Sequence, residues 1–277
     1  MDTMTPTEHA LNTNFQWVDH VGPLRLVTDA QARRYDELGF FVLEHALSPD
    51  QVDQVVAEID PVERQRENEL RRLEGGRFFI ARADEITYTT HLVKVSDVLR
   101  RFTSSTLFAD LCADLIGPDV RLYWDQAVYK KPGTQAPFPW HQDNGYAFVE
   151  PQQYLTCWVA LTDATEENGC PWVVPRLHRR GTLAHRNSDI GFVCLTDPDD
   201  AVAVPVRRGS MVVFSSLTPH CTGPNLSGAV RKAYIVQFAP VGAGVVQIGQ
   251  QSEVTHLPAD DESRQYVILE GGVATNP

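Results

Sequence analysis

No apolar run in the 277 residues approaches the roughly 20 that a bilayer-spanning helix needs. Positive charge is also short, since 24 Lys and Arg stand against 36 Asp and Glu, for a formal charge of −12. A chain this acidic repels phosphate backbones and anionic lipid, which argues against nucleic acid and membrane surfaces as partners. The opening MDTMTPTEHALNTNF has neither the basic start nor the apolar stretch of a secretory leader, so a cytoplasmic location is expected. Cysteine is scarce and unpatterned. Cys112, Cys157, Cys170, Cys194 and Cys221 are odd in number and form no CxxC pair, so they read as reduced thiols. Internal repeats and low-complexity segments are lacking too.

The apolar share, 43%, is enough for a sizeable core without disulfide staples. Residues 1–27 show little periodicity and read as a loosely docked arm, with residues 28–277 as one domain. Thr28-Asp-Ala-Gln31 and Ser48-Pro-Asp-Gln51 are capping boxes that open helices. The first runs to Leu38, is stopped by Gly39, and is followed by a buried strand, Phe40–Leu43. The second carries Val52, Val55, Val56 and Ile59 on one face until Pro61 ends or interrupts it. Residues 62–76 alternate in charge around Leu70. They read as a solvated helix surface or as a flap hinged at Gly75-Gly76. A further helix is expected over 107–116.

From Val120 onward, short strand candidates alternate with turns such as Lys131-Pro-Gly133 and Gly223-Pro-Asn225. No long helix separates them, which disfavours a parallel sheet. The pattern predicts a mainly β chain: an antiparallel jelly roll with its core at about 120–240, behind an N-terminal helical layer.

Trp140-His141-Gln142-Asp143 contains an HxD pair. On an extended segment, residues i and i+2 share a side, so both can reach one ion. His220, at the end of an apolar strand and expected on the opposite sheet, would complete a triad. Two imidazoles and one carboxylate on one face leave open positions, as in iron(II) oxygenases. Arg231, eleven residues after His220, can clamp a carboxylate bidentately, and the Thr222 hydroxyl can assist it. Cys221 adjoins His220 and reads as a small apolar filler, the alternative being a thiol whose oxidation disturbs the site.

The segments HQDNGY (141–146), CWVALTDATEENGCPWVVP (157–175), HCTGPNLSGAVR (220–231) and YDELGFFVLEHALSPDQVDQVV (35–56) resemble the phytanoyl-CoA dioxygenase family. The resemblance implies a double-stranded β-helix (a cupin-like jelly roll), an iron(II) cofactor, 2-oxoglutarate as co-substrate and O2. It places iron on His141, Asp143 and His220, and 2-oxoglutarate on Arg231 and Thr222. Trp158, Lys94 and Tyr129 are implied to line the co-substrate site. Pro175-Arg-Leu-His178 departs from the family's usual Pro-Gly-Ser-His, which offers Arg176 and His178 as substrate-facing residues beside Asn144 and Tyr146. Asp143 stands where related halogenases have Ala or Gly, so no position is vacant for chloride and oxygenation is expected.

The reading is an oxygenase that hydroxylates a small molecule. Desaturation, ring closure and epimerisation start from the same chemistry and are not separable from sequence. Two other classes stay open: a catalytically silent jelly-roll binding module, and a cupin-like metal enzyme that uses no 2-oxoglutarate. Oligomeric state is not readable.

Overall fold

Both capping boxes form. In each, the N-cap hydroxyl accepts from the backbone of the third helical residue, whose glutamine returns the bond, at 3.2 and 3.0 Å for Thr28/Gln31 and 3.3 and 2.9 Å for Ser48/Gln51. They open α1 (Asp29–Leu38) and α2 (Pro49–Arg72). Gly39 ends α1 at φ 86°, a left-handed conformation that costs glycine nothing. The structure, a computed structural model, describes residues 6–20, 22–249 and 253–275. Residues 1–5 and 21 of the expected arm lie outside these.

Pro61 does not end α2. Its ring faces solvent, while Ile59, Glu63, Glu67 and Leu70 are buried on the opposite face and carry the helix across the missing N–H. Residues 62–72 are therefore no flap but the last turns of α2, solvated along Arg64, Gln65, Asn68, Arg71 and Arg72 as expected and docked along the opposite face. Glu63 accepts from Thr87 Oγ1 at 2.7 Å and Lys131 Nζ at 2.5 Å, and Glu67 accepts from the Asp84 amide at 2.7 Å. The glycines at 75 and 76, with φ 69° and 61°, precede a short hairpin over 77–82 instead.

Two more helices, α3 (Asp97–Thr103) and α4 (Thr106–Leu115), complete the helical layer. This layer covers one face of a ten-stranded antiparallel sheet. Its central strands, Met211–Ser215, Leu155–Ala160, Arg231–Pro240, Val120–Lys130 and Ile86–Thr90, lie side by side in that order. Phe40–Leu43 flanks the first of them, and Val267–Glu270 joins Val120–Lys130, so the sheet draws strands from both sides of the 120–240 segment. The other face meets a four-stranded sheet of Val202–Ala203, Pro171–Val173, His220–Thr222 and Phe138–His141. This is the antiparallel jelly roll expected from the strand pattern.

Side chains alternate across the large sheet. In Arg231–Pro240, Tyr234 and Val236 face the helices, while Ala233 and Ile235 face the space between the sheets. Ala127 and Tyr129 of the neighbouring strand face the helices, and Val128 faces inward. This parity decides which site candidates reach the interior.

The arm is pinned more firmly than expected. The buried Asp114 carboxylate on α4 accepts from the amides of Arg25, Leu26 and Val27 at 2.7–2.9 Å. Asp36 holds Trp17 Nε1 and the His20 amide at 3.1 and 3.0 Å. Asp114→Ala strands three amides, and urea denaturation is expected to show a loss of about 2 kcal/mol.

Candidate metal centre

His141 ends the strand Phe138–His141, and Asp143 follows in a tight turn. His220 opens His220–Thr222 and pairs directly with His141 in the same four-stranded sheet. The third ligand thus comes from the adjacent strand, not the opposite sheet. Antiparallel pairing places the two imidazoles side by side, with ring centroids 4.2 Å apart. Their Nε2 atoms lie 3.9 and 3.8 Å from Asp143 Oδ1. One ligand atom from each of the three residues falls within 4.8 Å of the others.

Each ligand is oriented from behind. His141 Nδ1 meets the Pro139 carbonyl at 2.8 Å, and His220 Nδ1 meets that of Thr218 at 3.0 Å, which turns both Nε2 lone pairs to the shared point. Thr156 Oγ1 donates to Asp143 Oδ2 at 2.6 Å, leaving Oδ1 for the ion. Gln237 Nε2 in turn donates to Thr156 at 3.3 Å. Burial, reinforced by His220, pushes the His141 pKa well below its usual value and keeps it in the neutral, ligating form.

Arg231 is 1% exposed, yet only Nη1 finds a partner, the Val128 carbonyl at 3.3 Å. Nε and Nη2 are buried without one. The guanidinium lies 5.4 Å from the ring of Trp158, whose side chain packs inward between the sheets. Burial lowers its pKa to about 10. A buried guanidinium with two idle donors is costly unless an anion completes it.

Sequence reasoning missed the residue opposite. Lys130 pairs in register with Arg231 and is fully buried. Its Nζ donates to the Gly223 carbonyl at 2.5 Å and to Thr222 Oγ1 at 3.2 Å. Burial, then the charge of Arg231, pulls its pKa down to about 7. Because Thr222 accepts from Lys130, its own hydroxyl proton is free for another acceptor. Lys130-Lys131 looks like a surface pair before a turn. The available signal was strand parity, which turns Lys130 inward with Arg231 and Lys131 outward to Glu63.

Other expectations need correction. Lys94 is exposed at the end of a single helical turn, Leu92–Lys94, and Tyr88 and Thr90 are the nearby residues that line the cavity. Tyr129 faces α2, where its hydroxyl donates to Asp60 Oδ1 at 2.6 Å. Asn144 is fully buried and spends its amide on the loop, donating to Thr182 Oγ1 at 2.6 Å and accepting from the Val149 amide at 2.9 Å. Arg176 is exposed and lines a separate groove beside Asp197. His178 is buried under α1, edge-on to Trp17 at 4.4 Å. Tyr146 does reach the site, 5.3 Å from the His141 ring, in the wall of a cavity of about 410 Å³ that opens on His141 and Asp143. All five cysteines are free and buried.

Equilibrium dialysis with metal analysis is expected to find one divalent transition ion per chain, and none after His220→Ala. Thr156→Val keeps all three ligands but frees the Asp143 carboxylate, and should weaken metal affinity about 10-fold.

Comparison with known proteins bears on this centre. The model of the phytanoyl-CoA dioxygenase (PhyH) family matches residues 35–233, well over half of the chain. The methylphosphonate hydroxylase of Gimesia maris is 27% identical over 222 residues, 79% of this chain and 83% of that protein. The 2-oxoglutarate-dependent carbocyclase SnoK of nogalamycin biosynthesis superposes with a TM-score of 0.70 at 25% identity, over 89% of this chain and 99% of that one. EvdO2 of Micromonospora carbonacea, solved with 2-oxoglutarate, does so at 0.62 and 25%, over 88% and 98%. Among the described residues no helix is long and apolar enough to cross a membrane. With its family match and its His-Asp-His centre, the chain belongs to the phytanoyl-CoA dioxygenase family and is an iron- and 2-oxoglutarate-dependent oxygenase.

Proposed function

We propose that the chain hydroxylates a C–H bond of a small-molecule substrate, with His141, Asp143 and His220 holding iron and Arg231, Thr222 and Lys130 holding 2-oxoglutarate. The observation that carries this reading is the buried Arg231 guanidinium, whose Nε and Nη2 are both unpartnered. A distal carboxylate would satisfy both atoms bidentately. The donor set suits iron(II), since two imidazoles and one carboxylate leave a face open for chelation and for O2.

Iron(II) chelated by 2-oxoglutarate supplies the oxidation, consuming O2 and releasing succinate and CO2. The chain's own residues orient and shield. Thr156 and Gln237 fix the Asp143 carboxylate. Lys130 accepts no proton in this scheme. It turns the Thr222 hydroxyl proton toward the distal carboxylate and adds positive potential beside Arg231. Trp158 presents an apolar face that excludes water from the clamp. Tyr146 and Phe138 flank His141 on the substrate side, with ring centroids at 5.3 and 4.8 Å. A hydroxylase among the relatives favours hydroxylation over the ring closure performed by SnoK.

Anaerobic titration of the iron-loaded chain should develop the visible charge-transfer band of an iron(II)–keto acid chelate. Arg231→Ala should weaken 2-oxoglutarate about 100-fold, and Lys130→Met about 10-fold. Neither should shift 2-oxobutyrate, which lacks the distal carboxylate. Equal weakening of both keto acids would show that these side chains only support the fold. A wild-type chain that forms no such band, yet turns over a substrate with metal alone, would make it a cupin-like enzyme instead.

A further inference from the structure

The cavity beside the metal has an uneven chemistry. Eight of its lining residues are aromatic, and the only charged ones are Arg66 and the metal ligand Asp143. No carboxylate in its wall is free to meet an ammonium group. Its neutral polar groups, Thr90, Gln126 and Gln237, offer hydrogen bonds to hydroxyl or carbonyl oxygens. A volume of about 410 Å³ suits a ligand on the order of twenty non-hydrogen atoms.

The rings are ordered. From the mouth inward, Phe79 lies 6.4 Å from Phe192, Phe192 lies 4.9 Å from Tyr146, and Tyr146 lies 5.3 Å from His141. In a second file, Phe138 lies 5.7 Å from Tyr88 and 4.8 Å from His141. Two files of rings thus converge on the metal ligand His141. At the mouth, Phe78 and Phe79 are 64% and 58% exposed, an apolar pair held open to solvent on a hairpin tip. Arg77 and Arg82 of that hairpin both donate to the Asp189 carbonyl of the facing hairpin, which ties the two sides of the mouth together. Arg66 stands in the wall with a single half-exposed partner, Glu69, at 3.2 Å.

We propose that this cavity binds an oxygenated, ring-bearing substrate, planar or nearly so and uncharged or singly acidic, stacked against Phe79 and Tyr146 with its acidic oxygen toward Arg66. This rests on the oxygenase reading above. Primary amines and free amino acids are disfavoured because their ammonium group meets no carboxylate. Long flexible acyl chains forgo the stacking that two ring files provide.

The test is calorimetry on the anaerobic iron- and 2-oxoglutarate-loaded chain, with anthraquinone-2-carboxylate, its neutral 2-carboxamide, palmitoyl-CoA and L-lysine as probes. The two quinones should bind and the other two should not. Phe79→Ala removes an exposed ring and should weaken both quinones at least about 10-fold. Arg66→Gln should weaken the carboxylate about 10-fold and leave the carboxamide within about 2-fold. The proposal is overturned if the quinones fail to bind, if palmitoyl-CoA or L-lysine binds more tightly, or if Phe79→Ala changes nothing. In each of these outcomes an intact charge-transfer band shows that the co-substrate site, and with it the oxygenase reading, still stands. Loss of the band in the wild type would remove both.

Discussion

The site depends on a positive charge with nowhere to go. Arg231 is buried, stacked on Trp158, and satisfied at one of its three nitrogens. Lys130 adds a second buried cation on the paired strand. A folded chain keeps such a pair only if its burial is sustained by surrounding packing and completed by a ligand. The inner rows of the large sheet supply the packing. The metal triad on the small sheet sets how far away the other end of that ligand must lie.

The division of labour between the two sheets follows. Arg231, Lys130, Trp158, Thr156 and Gln237 stand on the large sheet, which is braced by helices on its far side. His141 and His220 stand on the small one, one strand apart. Thr222 belongs to the small sheet but is held by Lys130 from the large one. On the proposed reading, a keto acid would join both layers, with the triad holding the metal at one end and Arg231 the carboxylate at the other.

Much of this was legible before any coordinates. The capping boxes, the Gly39 stop and the strand candidates from Val120 onward rest on local chemistry, and local chemistry decided them. The triad was legible because HxD spacing puts two ligands on one side of a strand; that His220 would pair with His141 in the same sheet was not. What failed was whatever depended on which face a side chain takes. Tyr129 and Lys130 are neighbours on one strand, so one residue of parity separates a helix-facing tyrosine from an inward lysine. Lys94 was misplaced because a single helical turn intervenes after Ile86–Thr90 and carries it to the surface. Asn144 and His178 looked like mouth residues, yet both are buried and bond to groups brought near by tertiary contacts, Asn144 to the Thr182 hydroxyl and the Val149 amide and His178 to the Asp36 carbonyl. Pro61 misled because propensity counts a lost hydrogen bond, while the six buried side chains of α2, three on each side of it, outweigh that loss.

The two hairpins at the mouth contain none of the three metal ligands and neither buried cation of the clamp. They meet one another through the Asp189 carbonyl and through one ring contact. Such an arrangement separates what must be conserved from what can drift. Exchanges at Phe78 or Phe79 would reshape the cavity mouth without touching a metal ligand, so the opening and the oxidising centre can vary independently.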